Sequence, residues 1–360
     1  MNRLNIFILF FLFGLCIISC RNSSKQQFQN LKADRLYNTD TTLICYLEEN
    51  IDVIQDINDA KFLNDSIFIV ITNKQLIKYN ILGKQIQQFG SNGNAPHEYI
   101  TPSLIDVNDS SIYVWCNTSM KLIEYDHYGK YKGVITNYKE AIKNFKVYQD
   151  KYIFFYKNNG IKQGIIDVYD IKDNKKIKSV GIFSDEDLIL SMVKFKPEII
   201  IRDDYVYFIR PSTLNLYRFK IGVFDVEETE GVYDDSYHIE KVDDAKHLIK
   251  NQRMKAFEYI YNNSMTDNIF LIKGGLVIKS ETGKYYPNER KKILDRNRRF
   301  NKFYFYSFSK LKNEDFTWES NVSFNSLNYL NYKDDLYVIE NTLNNETGQS
   351  KLYKINFLSK

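Results

Sequence analysis

Two stretches of this chain are nearly superimposable. Asn64-Asp65-Ser66-Ile67-Phe68-Ile69-Val70 is followed by Leu76-Ile77-Lys78-Tyr79 and a turn at Leu82-Gly83-Lys84, while Asn108-Asp109-Ser110-Ser111-Ile112-Tyr113-Val114 is followed by Leu122-Ile123-Glu124-Tyr125 and a turn at Tyr128-Gly129-Lys130. A repeat of this kind makes the fold an array of like units rather than a collection of unlike domains. Four weaker copies continue the pattern. They begin at Gln149-Asp150-Lys151-Tyr152, Arg202-Asp203-Asp204-Tyr205, Asp267-Asn268-Ile269-Phe270-Leu271 and Asp334-Asp335-Leu336-Tyr337. In the fifth, the run Phe303 to Phe308 is the second half after an insertion, and in the sixth Lys351-Leu352-Tyr353-Lys354-Ile355 closes the pattern.

The steps from Ile67 to Ile112 and on to Tyr152 are the length of one four-stranded propeller blade, about 40 to 45 residues. With 28 Tyr and 25 Phe against 15 Gly and 5 Pro, composition favours pleated, half-buried strands. A small sheet of this size cannot bury both faces alone, so the copies must stack around an axis. The expectation is an all-β six-bladed β-propeller over 39–360 with four-stranded blades. The last copy ends after its third strand, and the strand-like run Thr41-Thr42-Leu43-Ile44-Cys45-Tyr46-Leu47 is available to complete it and remove the exposed edge. The aspartate before each run is read as a turn residue whose carboxylate bonds nearby backbone N–H groups.

Longer steps mark insertions. Asp244 to Lys250, continuing through Met254, Phe257, Ile260 and Tyr261, has helical spacing. A shorter excursion surrounds Ser184 to Met192, and Asn288 to Arg299 makes a basic segment with Arg290 to Arg299 at its centre. The insertions at about 240–262 and 287–302 are expected to project as helix or loop beside the channel mouth, where binding residues usually sit.

The first residues read as an export signal. Asn2 and Arg3 precede an apolar run from Leu4 to Ile18, which is short of the roughly 20 residues a membrane span needs. Ile17-Ile18-Ser19-Cys20 resembles a bacterial lipobox, so 1–19 is assigned as signal peptide, Cys20 as the lipidation site and 20–38 as a polar tether. Several acyl chains would anchor firmly, each buried CH₂ contributing about 0.8 kcal/mol. Arg21 follows Cys20, with no Asp there for inner-membrane retention and no acidic run of the kind resembling surface-export signals. The periplasmic face of an outer membrane is therefore expected first and the cell surface second. Cys45 and Cys116 are the thiols left to the domain. An oxidising envelope permits a bridge, but two buried, unpaired cysteines are the expectation.

Gln88-Phe89-Gly90-Ser91-Asn92-Gly93-Asn94-Ala95-Pro96-His97-Glu98-Tyr99 is the most distinctive internal segment. With the lipobox and the repeats, it resembles the six-bladed β-propeller lipoproteins of Bacteroidetes, similar in style to NHL and TolB-like propellers. Gly90, Gly93, Pro96, Glu98 and Tyr99 occupy the places of that family's Gly-x-x-Gly-x-x-Pro-x-Glu-Tyr loop. The resemblance implies a fold and an envelope location, not a reaction. Within the loop, Gly90, Gly93 and Pro96 have a structural role. His97, Glu98 and Tyr99 are candidate ligand contacts, with Glu98 and Tyr99 also able to pin the loop against the next blade.

Catalytic patterns are sought without a match. His97-Glu98 begins like a zincin helix but continues Tyr99-Ile100-Thr101. No Gly-x-Ser-x-Gly elbow or phosphate loop occurs, and His97, His127, His238 and His247 have no metal-pair spacing. No metal or cofactor is therefore expected. Asp203-Asp204, Asp234-Asp235, Asp243-Asp244 and Asp334-Asp335 are read as turn and surface acids. Arg202 and Arg210 are candidate anion contacts, with a salt bridge to a neighbouring blade as the simpler role. Trp115 and Trp318 are read as blade core. The formal net charge of +4 is too small to imply nucleic acid. These readings converge on a membrane-anchored, non-catalytic binding or scaffold module for an envelope protein, peptide or glycan. The alternative is a carbohydrate lyase or hydrolase whose acids converge at the channel mouth.

Overall fold

The computed structural model describes residues 36–48, 57–157, 164–192, 195–228, 234–282, 300–308, 317–320, 327–340 and 349–357. The signal segment, Cys20, residues 21–35 of the tether and the basic run Arg290 to Arg299 lie outside them, as does the side chain of Trp318.

Six four-stranded antiparallel blades follow one another along the chain. Blade 1 comprises β2 (Ile57–Asn64), β3 (Ile67–Thr72), β4 (Leu76–Asn80) and β5 (Gln85–Phe89). A two-strand parallel pair, β6 (Ser91–Asn92) with β7 (Glu98–Tyr99), follows it. Blade 2 is β8 (Pro102–Val107), β9 (Ser111–Cys116), β10 (Lys121–Asp126) and β11 (Tyr131–Thr136). Blade 3 is β12 (Ile142–Tyr148), β13 (Tyr152–Lys157), β14 (Ile166–Asp170) and β15 (Lys175–Val180), and blade 4 is β16 (Ile200–Arg202), β17 (Tyr205–Ile209), β18 (Leu216–Lys220) and β19 (Val226–Glu228). Blade 5 is β20 (Met265–Ile272), β21 (Gly275–Thr282), β22 (Phe300–Ser307) and β23 (Thr317–Ser320). Blade 6 is β24 (Leu327–Tyr332), β25 (Asp335–Glu340), β26 (Lys351–Phe357) and the N-terminal β1 (Leu36–Tyr46).

The expected ring closure is present and goes further than expected. From Thr39 to Tyr46, β1 pairs antiparallel with β26, and its first residues, Leu36 to Asn38, pair parallel with β23. The one strand therefore joins the outer edges of blades 5 and 6 into an eight-stranded sheet.

The near-identical repeats make identical turns. Asn80 Oδ1 accepts from the amides of Leu82 and Lys84 at 3.1 and 2.9 Å, and Asp126 Oδ1 from those of Tyr128 and Lys130 at 2.9 and 2.8 Å. Gly83 and Gly129 take the left-handed position, φ +83° and +87°, that β-carbons resist. At the inner turns, Gln149-Asp150, Asp203-Asp204 and Lys333-Asp334 also have positive φ, as tight hairpins require. The aspartates are turn residues, but three of their carboxylates reach sideways rather than to nearby amides. Asp65 pairs with Lys333 at 2.6 Å, Asp150 accepts from Tyr113 Oη at 2.5 Å, and Asp204 accepts from Tyr148 Oη at 2.9 Å. Each latches one blade to its neighbour.

The fifth copy is displaced by one strand from its expected place. Ile269-Phe270-Leu271 belongs to the inner strand β20, the second strand is β21, and Phe303 to Ser307 lies in the third.

Within a blade the strands alternate in direction, so first-to-second and third-to-fourth turns lie at one end and the remaining connections at the other. The described turns at the first end are tight. The long connections with described residues share the second end: 90–101, 181–199 and 229–264. The excursion near Ser184 is α1 (Asp185–Leu190), capped by Ser184 in a reciprocal capping box with Asp187. The helical pattern near 244–262 resolves into α2 (Ala245–Asn251), whose Asp244 caps His247 N, and α3 (Arg253–Asn262). These helices do not merely project: Ile189, Leu190, Ala245, Ala256 and Ile260 are buried in the same cluster as blades 3 to 5.

The insertion is fastened to blade 5 by Asp234, which accepts from Ser236 Oγ at 2.6 Å, Tyr304 Oη at 2.7 Å and Lys302 Nζ at 2.9 Å. Burial pushes this carboxyl up, but the bonds from Ser236, Tyr304 and Lys302 outweigh it and bring the pKa to about 2. Its folded pKa lies below the unfolded value, so this stabilisation is present above about pH 3.8 and is lost as pH falls through 2. Asp234→Asn is expected to cost about 2 kcal/mol at pH 7, at about 1.4 kcal/mol per pKa unit, and to flatten the stability curve between pH 4 and 2. Urea titrations across that window check this, and parallel curves for the two proteins would refute it.

Trp115 is fully buried between blades 2 and 3 with Tyr138 and Phe155. Cys45 and Cys116 are both buried and unpaired, in different blades.

Candidate functional site in the central channel

Inner strands of neighbouring blades belong to separate ladders, so their facing amides and carbonyls need other partners once buried. Short Asx side chains supply them at all six seams. Asp59 accepts from Ile105 N at 2.9 Å, Asp106 from Val147 N at 2.8 Å, and Asn144 donates to Pro197 O at 2.9 Å. Asn268 accepts from Glu198 N at 2.8 Å, Asn331 bonds both the amide and the carbonyl of Leu271, and Asn328 donates to Ile57 O at 2.7 Å.

Two of these residues, Asp59 and Asp106, also belong to a charged cluster in the channel. Lys61 Nζ lies 2.5 Å from Glu198 Oε1, and Lys196 Nζ lies 2.6 Å from Asp59 Oδ1 and 3.0 Å from Asn58 O. Lys61 and Asp59 stand on blade 1, whereas Lys196 and Glu198 lead into blade 4, three places round a ring of six. The two ion pairs therefore cross the bore in opposite senses. A third pair, Lys146 with Asp106 at 2.5 Å, lies along the wall between blades 2 and 3. Burial would drive the Lys61 ammonium down in pKa, but Glu198, Asp59 and Asp106 hold it above its ordinary value. Burial likewise pushes Glu198 up, and Lys61, Lys196 and Lys146 together bring it below the usual carboxylate value. Both directions keep the Lys61–Glu198 pair ionised around neutrality.

None of these six charges was singled out in the sequence. The recurrence of Asn58-Asp59, Asp106, Asn144, Asn268 and Asn328 at the inner strands is the signal that could have found the seams. The crossing lysines carry no local pattern at all.

The candidates read from sequence are placed elsewhere. In the Gly90 to Tyr99 loop, Glu98 accepts from Ala95 N at 2.8 Å and lies so close to Gly93 that a Cβ there would stand 2.0 Å from its carboxylate. Tyr99 is buried in the core between blades 1 and 2, its phenol pushed up to about 12 by that burial. Gly90 has φ +70° and packs on the Tyr99 ring. His97 is exposed, with its ring edge toward Tyr131. Pro96 is also exposed on this loop. Arg210 meets Asp187 of α1 through Nε at 2.7 Å and Nη2 at 2.5 Å. It shares the long-connection end with the His97 loop. Arg202 lies at the opposite end, stacked over Phe308 and 3.4 Å from Asp203. The structure thus does not gather these candidates into one pocket. Among the described residues, no group of three or more His, Cys, Asp or Glu could hold a metal ion, and no helix is long and apolar enough to cross a membrane.

Solved structures similar to this chain include a candidate exported protein of Bacteroides fragilis NCTC 9343, 12% identical over 89% of this chain and 96% of that one, with a TM-score of 0.62. Another is a DUF4221 family member from Bacteroides vulgatus ATCC 8482, 9% identical over 90% of this chain and all of that one, also at 0.62. At such identities the likeness concerns the fold. No match is found among curated proteins. The DUF5128 family model, described as a 6-bladed beta-propeller, matches residues 47–315, and on that match, with six blades and their closing strand on view, the chain belongs to the DUF5128 family of six-bladed β-propellers.

Proposed function

We propose that this chain is a non-catalytic binding or scaffold module of the cell envelope, anchored through lipid on Cys20. It takes a protein, peptide or glycan on the end of the ring where the long connections gather. One observation carries the choice over a carbohydrate lyase or hydrolase. Asp59, Asp106 and Glu198 do converge in the channel, as an enzyme would require, but each is held by a lysine at 2.5 to 2.6 Å. Glycoside hydrolysis needs one carboxyl kept protonated by a raised pKa, and Glu198 is shifted the other way. Long connections at one end of a rigid ring are the usual place for recognition residues.

The reading predicts a stoichiometric partner or glycan recovered when full-length lipidated protein is drawn from its native membranes in mild detergent. Recovery is expected to fall at least tenfold for Cys20→Ala, followed by quantitative mass spectrometry. Turnover of a polysaccharide or peptide by the purified protein would instead support the enzyme.

A further inference from the structure

The channel cluster is neutral in sum but not in what it exposes. Lys146 and Lys196 keep 30% and 31% of their side chains accessible, whereas their partners Asp106 and Asp59 keep 2% and 1%. The reason is the seam bonding. Asp59 accepts from Ala60 N and Ile105 N, and Asp106 from Val147 N, so both carboxylates are drawn to the wall. The ammonium groups are left toward the bore. The crossed pairs Lys61–Glu198 and Lys196–Asp59 tie blade 1 to the chain entering blade 4 across the bore.

We infer that this cationic lumen receives a carboxylate from the ligand, seated against Lys146 and Lys196; the inference rests on the binding-module reading above and names the chemistry of its site. An ammonium has three donors. Lys196 gives two of them to Asn58 O and Asp59, and Lys146 gives one to Asp106, which leaves donors for one further anionic oxygen pair. A carboxylate would leave this balanced cluster with one net negative charge and a phosphate dianion with two, so the carboxylate adds the smaller uncompensated charge beside the ammonium donors. A peptide C-terminus and an acidic sugar both offer the required group.

Calorimetric titration of the intact protein tests this with four probes: tetra-alanine with a free or an amidated C-terminus, and tri-galacturonate free or methyl-esterified. One of the two acids is expected to bind saturably and its blocked form to bind at least tenfold more weakly, the acid that binds identifying the source. Lys196→Met alone strands a buried carboxylate, so the deciding variant is Lys196→Met with Asp59→Asn, which removes the pair together and leaves an amide oxygen at position 59 to accept from Ile105 N. It is expected to fold, with a cooperative melt, and to lose at least tenfold in affinity. Absence of binding by both acids, equal binding of the blocked forms, or unchanged affinity in the double variant would each overturn the inference. Because partner recovery from membranes is measured separately, its persistence beside any of these results would leave the binding module standing and remove only the carboxylate site.

Discussion

Removal of residues 36–46 is expected to abolish the cooperative unfolding transition of the domain, not merely lower its midpoint. This strand gives blade 6 its outer member along the register Thr39–Phe357 to Tyr46–Lys351, and it contributes Cys45 to the core between blades 6 and 1. Its first residues are also the link between the outer edges of blades 5 and 6. Deletion would expose two strand edges at once and loosen the seam at Gly83, where Glu48 N bonds Gly83 O at 2.8 Å. Domains of ordinary stability have about 5 to 15 kcal/mol in total, and loss of a whole strand with its ladder is of that order. Calorimetry on chains beginning at residue 36 and at residue 47 decides the matter. A melt within a few degrees of the longer chain would mean that closure does not depend on β1.

Asp187→Ala is expected to cost about 3 to 5 kcal/mol, the range for stranding one partner of a buried ion pair. Asp187 is completely buried, and its carboxylate accepts from Ser184 N at 2.8 Å, Ser212 N at 3.0 Å and the Arg210 guanidinium. It therefore caps α1, holds the chain after β17 and neutralises Arg210 together. Arg210 also lies over the Tyr217 ring, which partly retains it when the carboxylate is gone. Replacing both partners, Asp187→Ala with Arg210→Met, is expected to recover part of the loss, since no charge is then left unpaired. Urea unfolding of the two variants measures this, and a single-variant loss below about 1 kcal/mol would show that the pair is structurally idle.

Much of the ring could be read from the chain because its information is local. The Ile67 and Ile112 copies carry strand, turn and strand within a short stretch, and their turns depend on Asn80, Asp126 and the glycines beside them. The closing strand was recognisable because Thr41 to Leu47 had strand character and no blade of its own. Blade 5 was misplaced by one strand for an equally local reason. Only Lys273 and Gly274 separate β20 from β21, whereas 283–299 separate β21 from β22, so an apolar run beginning after Asp267 fits the inner and the second strand equally well. Turn aspartates could be located but not assigned their partners, because Asp150 to Tyr113 and Asp65 to Lys333 are contacts between blades. The channel was the least legible part. Lys61 and Glu198 are 137 residues apart, and what pairs them is the closing of a ring, which no spacing rule encodes.

The seams have a consequence for how such a chain can diverge. A bond from an Asx side chain to a neighbour's amide or carbonyl does not consult the neighbour's side chain. Ile105, Val147, Pro197, Leu271 and Ile57 contribute only main-chain atoms to these joints, so their identities are free to drift under packing alone. One side of each seam needs a short polar residue, and the other needs no particular residue wherever its carbonyl is used. A ring assembled this way holds its joints through backbone geometry, so substitutions on the accepting or donating main-chain side of a seam leave the joint in place.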